Sequence, residues 1–115
     1  MSNNNRNRLR EIMSLAWQFV RRNGYTMSEA MKCAWANIKL KAAMKQRIVK
    51  FYYQKVSGEI REAFGTLKEG MVPDTLGTGR KPNDTLFTYY DTERDAWRSF
   101  KRANLLSIGA APVIL

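Results

Sequence analysis

The chain holds 115 residues, 44% hydrophobic and 26% charged, a composition that suits one folded domain with one core. Twenty Lys and Arg against ten Asp and Glu leave a net charge of +10, which points to an anionic partner, nucleic acid or an acidic protein surface, ahead of a membrane. With no histidine and one cysteine, Cys33, the common zinc sites, the Ser-His-Asp and Cys-His machineries and an internal disulfide are excluded.

No apolar run approaches the ~20 residues of a membrane-spanning helix. The N-terminus is polar and basic, unlike a signal peptide. The expectation is a cytoplasmic, non-catalytic protein with no cofactor, no metal and no membrane partner. The charge is uneven along the chain. Residues 1–50 carry eleven basic residues against Glu11 and Glu29, whereas residues 51–115 carry nine basic and eight acidic ones.

Ser2 to Asn7 is too polar to pack and is expected to be a frayed arm, residues 1–7. From Arg8 the apolar positions Leu9, Ile12, Met13, Ala16, Phe19 and Val20 follow helical spacing. Arg21 and Arg22 suit the negative end of that helix, and Gly24 suits a left-handed stop. Thr26-Met27-Ser28-Glu29 has the form of a capping box and predicts a second helix. Met27, Met31, Ala34, Trp35, Ile38 and Ala42 give it one apolar face, and Cys33, Leu40 and Met44 a second, so it should pack on helix one and on the sheet. Lys32 and Lys39 should be solvated, and Cys33 reads as a small buried hydrophobe rather than a reactive thiol.

Near Ile48 the period changes from about 3.6 residues to 2. Residues 48–54 alternate Val49, Phe51 and Tyr53 with Lys50, Tyr52 and Gln54, and Ser57-Gly58 supplies a hairpin turn before a strand over 60–66. Residues 68–85, with Gly70, Pro73, Gly77, Gly79 and Pro82, form a long loop. Strands over 86–91 and 96–101 make another hairpin around Thr92 to Asp95, and 105–108 reads as a fifth strand. The predicted fold is α+β: a helical part over 8–46, then a four- or five-stranded SH3-like barrel over 48–108. Residues 109–115 form an apolar tail, and the whole is one domain. The helices are expected to cap the barrel through Trp17, Phe19, Trp35 and Ile38.

The run Ile48 to Leu67 resembles the first hairpin of WYL-domain proteins, and Leu86 to Ile108 is similar to their later hairpin. The chain as a whole, over residues 9–108, resembles the small WYL-like, Sm-type SH3-barrel proteins of Bacteroidetes bacteria, their phages and mobile elements. Met27 to Asn37, Gly77 to Lys81 and Trp97 to Leu105 carry that likeness. The resemblance implies the barrel. It also implies a link to nucleic-acid or nucleotide binding and to regulation of anti-phage defence. One departure stands: the chain has no Trp-Tyr-Leu triplet, and Leu86-Phe87-Thr88 stands near where it would fall.

The candidate site is a basic and aromatic barrel surface. Lys50, Tyr52, Arg61, Tyr89, Arg98 and Lys101 interleave phosphate-neutralising and base-stacking side chains on neighbouring strands, with Arg80 and Lys81 added from the glycine-rich loop. Trp97, beside Arg98, should face the core. Asp91, Glu93 and Asp95 read as turn chemistry. Arg8, Arg10, Arg21, Arg22, Lys32, Lys39, Lys41, Lys45 and Arg47 make the helical part basic, but no third helix supports a helix-turn-helix. The expected function is contact with single-stranded nucleic acid, more than duplex, or with RNA. The alternative is a protein-interaction module, such as a phage or mobile-element inhibitor of a host defence protein.

Overall fold

A computed structural model describes residues 2–73 and 85–109, with side chains from Arg6 onward. Helix α1 spans Ser2–Asn23 and helix α2 Met27–Met44. Five antiparallel strands follow: β1 Val49–Gln54, β2 Ile60–Thr66, β3 Leu86–Asp91, β4 Ala96–Lys101 and β5 Leu105–Ile108. The strand order is β4-β3-β2-β1-β5, so β4 and β5 are the two edges. A single 3-10 turn, Arg102–Asn104, carries the chain from one edge to the other without closing the ladder. No described helix is long and apolar enough to cross a membrane.

Local chemistry sets the element boundaries. Gly24 (φ 72°) ends α1 in the left-handed region, where a Cβ would be strained. The capping box is complete: the Glu29 N–H donates to Thr26 Oγ1 at 3.2 Å, and the Thr26 N–H donates to Glu29 Oε1 at 3.1 Å. Helix α1 begins at Ser2 rather than at Arg8. Once the packed segment further along has nucleated the helix, each added residue gains one backbone bond.

The sheet curls around an aromatic core. Phe51, Tyr53, Ala63, Phe87, Tyr89, Phe100 and Leu105 are buried on its inner face, closed at one end by Leu40 and Met44 from α2. The Phe87, Phe100 and Tyr53 rings stack in series, with centroids 5.1 and 4.8 Å apart. Gly65 is required by that packing, because a Cβ there would overlap the Tyr89 ring and press on Met44 and Phe51 at 3.2 Å. The last turn of α2 is tied to β2: the Thr66 hydroxyl donates to the Met44 carbonyl, and the Leu67 N–H donates to the same oxygen at 2.9 Å.

A second cluster joins α1 to α2. Ile12, Leu15, Ala16, Phe19, Ala30 and Ala34 pack together with Ala103 of the 3-10 turn. Helix α2 therefore contacts both α1 and the sheet, as its two apolar strips predict, but the barrel core receives only its C-terminal half, Leu40 and Met44 with Ala36 and Ala43 beside them. Trp17 and Trp35 are exposed, and Phe19 and Ile38 belong to the second cluster. The seam of α2 runs through Ala30, Ala34, Asn37, Leu40 and Met44. Small side chains there let α1 approach closely, which turns Trp35 and Met27 outward. On α1, Leu9 and Met13 are likewise exposed, and Leu15, outside the predicted stripe, is buried.

A cationic cleft at the mouth of the barrel

Pleating decides which side chains reach the inner face. On β2, Arg61 shares that face with Ala63 and lies opposite Tyr53 of β1. On β4, Arg98 lies opposite Tyr89 of β3, which makes it an inner-face residue as well. Trp97 is therefore turned outward, where it packs edge-to-face on Tyr90 at 5.5 Å and stays 37% exposed. The sequence expectation had these two neighbours the wrong way round. Period 2 puts Trp97 and Arg98 on opposite faces but does not say which is inside.

Arg61 and Arg98 meet at Asp91, the last residue of β3. Its carboxylate is 1% exposed, with Oδ2 at 3.5 Å from Arg61 Nη2 and 3.9 Å from Arg98 Nε. Oδ1 accepts the backbone N–H groups of Glu93 and Arg94 at 2.9 and 3.1 Å, so Asp91 does fold the turn as expected. It also holds two arginines, a role the sequence did not reveal. Arg61 Nε is buried with no hydrogen-bond partner among the described residues.

These arginines open into a cleft of about 470 Å³ at the mouth of the barrel. Lys55, Arg94 and Lys101 stand around it, and Tyr53 and Phe100 lie against it. Of these five cations, Arg61 and Arg98 pair with Asp91, and Lys55 pairs with Glu59 at 3.6 Å. Arg94 and Lys101 have no ion-pair partner among the described residues. Three of the predicted residues, Arg61, Arg98 and Lys101, therefore come together, and Lys55 and Arg94 join them. Those two sit in the turns that end β1 and follow β3, and only the curl of the sheet brings the turns to one rim.

The other predicted residues lie elsewhere. Lys50 and Tyr52 project from the outer face of β1. The Tyr52 hydroxyl donates to Glu62 Oε2 at 2.5 Å, which raises the phenol above its ordinary pKa. Tyr52 is only 9% exposed, and no broad ring face is offered for stacking. Tyr89 is fully buried, edge-to-face on Phe51 at 5.1 Å, with its hydroxyl 3.4 Å from that of Tyr53. Burial raises its phenol further than that contact does. A base-stacking role for Tyr89 is excluded by that packing. Arg80 and Lys81, with the Gly77-to-Lys81 loop, lie outside the described residues, as does the tail beyond Gly109.

The cleft rim is held in place from the helical side. Asn37 Nδ2 donates to the Arg102 and Cys33 carbonyls, both at 2.9 Å, and the Tyr25 hydroxyl donates to the Ala103 carbonyl. Cys33 Sγ also lies 3.4 Å from the Arg102 carbonyl. Burial pushes the Cys33 thiol up to about 11, so it is protonated and inert near neutrality. Asn37 is the buried polar residue that sequence analysis left without a role. An Asn amid the apolar strips of α2 was the available signal.

A family model described as WYL_2, Sm-like SH3 beta-barrel fold, matches residues 37–106. No curated protein and no solved structure gives a significant match. The matched span begins at Asn37, takes in β1 to β4 and half of β5, and includes every residue of the cleft. It covers more than half of the chain, and the chain belongs to the WYL_2 family of Sm-like SH3 β-barrels.

Proposed function

We propose that this is a non-catalytic binding protein whose barrel-mouth cleft takes the phosphates of a single-stranded nucleic acid. The observation that carries this reading is the convergence of Lys55, Arg61, Arg94, Arg98 and Lys101 on one concavity, where the described residues pair three of them with Asp91 and Glu59 and leave Arg94 and Lys101 without an ion pair. A cleft of about 470 Å³ suits one phosphate with its sugar or base, and a flexible single strand bends its backbone into a concavity more easily than a stiff duplex. With Tyr89 buried and Tyr52 tied to Glu62, affinity comes chiefly from phosphate contact, and is correspondingly salt-dependent.

The test is fluorescence anisotropy with labelled oligothymidylate, oligouridylate and a duplex across a salt series. Single strands are expected to bind more tightly than the duplex. Arg98→Ala and Lys101→Ala should each flatten the slope of log affinity against log salt by ~0.7. Lys39→Ala, outside the cleft, serves as the charge-matched control. A response to Arg98→Ala no larger than to Lys39→Ala would reduce the binding to generic attraction by a +10 protein and end the nucleic-acid reading.

One observation favours a second reading. All three tryptophans, Trp17, Trp35 and Trp97, are 37% exposed or more, and exposed tryptophans are common anchors of protein interfaces. A protein-interaction role predicts that Trp35→Ala or Trp97→Ala abolishes partner capture and leaves oligonucleotide binding unchanged.

A further inference from the structure

We infer that the nucleic-acid path does not stop at the barrel mouth but continues over the 3-10 turn onto helix α1, outside the part of the chain that matches the family. The inference rests on the cleft reading above and adds the ligand's extent: a polymer strand rather than a single nucleotide. Three concavities adjoin in series and share residues. Lys101 borders both the barrel-mouth cleft and a smaller hollow of about 300 Å³ beside Thr85 and Phe19. Gln18 and Arg22 border that hollow and also a groove of about 580 Å³ along α1. Arg21, Arg22 and Arg102 line the groove, so Lys101 and Arg22 act as the two joints of one continuous track.

The charges along it are available. Among the described residues, Arg21, Arg22, Lys101 and Arg102 make no ion pair. Arg21 and Arg102 donate only their Nε groups, to the Trp17 and Leu86 carbonyls, which leaves the outer guanidinium nitrogens without a hydrogen-bond partner among the described residues. One acidic residue, Glu11, lines the groove and opposes an anion there. The partial negative charge at the C-terminus of α1 does so too, but it amounts to about half a charge and two arginines sit on that turn. The balance along the track stays positive. Its direction is fixed by the contacts that clamp α2 and Tyr25 to the 3-10 turn, since these hold α1 beside the end of β4.

The experiment uses the full chain with labelled oligothymidylate and oligouridylate of about 4 and about 16 nucleotides, lengths that bracket the usual site size of a small nucleic-acid-binding barrel. The longer strand is expected to bind roughly tenfold more tightly and with a steeper salt slope. In the Arg21→Ala, Arg22→Ala double variant, the longer strand should lose that gain, with a slope shallower by about 1.4, and the short strand should be unaffected. Glu11→Gln should tighten the longer strand alone. All three substituted side chains are exposed, so thermal melts should match the parent. Equal affinity at both lengths, or indifference of the longer strand to the double variant, overturns the track. A retained response of the short strand to Arg98→Ala would then show the cleft reading still standing. Loss of the Arg98→Ala response at both lengths overturns the cleft reading and the track with it.

Discussion

Asp91→Asn should move stability and ligand affinity in opposite directions. The carboxylate is buried to 1% exposure between Arg61, whose side chain is 13% exposed, and Arg98, at 35%. Asparagine keeps an oxygen for the Glu93 and Arg94 N–H groups, so the turn survives and the change is chiefly one of charge. Removing one partner of a buried pair typically costs 3–5 kcal/mol. Here the separations of 3.5 and 3.9 Å are long and Arg98 is partly solvated, which discounts the loss to about 2–3 kcal/mol. For a chain of this size that lowers Tm by roughly 10 °C. The same substitution removes the anion that lies behind the cleft's Arg61 and Arg98. A carboxylate roughly 7 Å from a bound phosphate, at an effective dielectric constant near 40, opposes it by ~1 kcal/mol, so affinity for a short oligonucleotide should rise about fivefold. Differential scanning fluorimetry and anisotropy at a temperature where the variant is folded read the two effects separately. Weaker binding by the folded variant would refute the electrostatic argument, because it would mean that Asp91 serves the ligand by orienting the arginines. An unchanged Tm would refute the pairing itself.

Three further outcomes follow from the packing. Gly65→Ala should cost about 1–3 kcal/mol in urea denaturation, since the new methyl group meets Tyr89, Met44 and Phe51 with no free space, while m stays constant. Leu40→Ala should cost 2–5 kcal/mol and Trp35→Ala about 1 kcal/mol or less, a contrast that separates the buried seam of α2 from its exposed face. Cys33, pushed up to about 11 by burial, stays protonated in the folded chain while the unfolded chain ionises near 9. The stability it protects is therefore whole below about pH 8 and shrinks as pH rises towards 11, by about 1 kcal/mol at pH 10. The urea midpoint should show that loss relative to Cys33→Ala.

Much of this protein is determined by local rules acting on its sequence. The capping box at Thr26 and Glu29, the left-handed stop at Gly24 and the change of period near Ile48 each involve neighbours a few residues apart, and the helices and all five strands follow from them. Charge also survives translation from sequence to structure in most places, because lysines and arginines are rarely buried unless paired. That is why the sequence could single out Arg61, Arg98 and Lys101, which the fold brings to one cleft.

Orientation is what the tertiary structure decided. Alternation along β3 and β4 divides Tyr89, Arg98 and Trp97 between two faces, but only the curl of the sheet chooses the inner one, and it placed an arginine inside and a tryptophan outside. An inner-face arginine is tolerated there because Asp91 neutralises it at the open end of the barrel, a pairing between strands that no local spacing encodes. Helix α2 shows the same division. Its two apolar strips announced two partners, yet the choice of Ala30, Ala34 and Asn37 over Trp35 came from how closely α1 and the 3-10 turn approach it. Lys55 and Arg94, two turn residues far apart in the chain, became part of one cleft only through the register that joins β1, β2, β3 and β4.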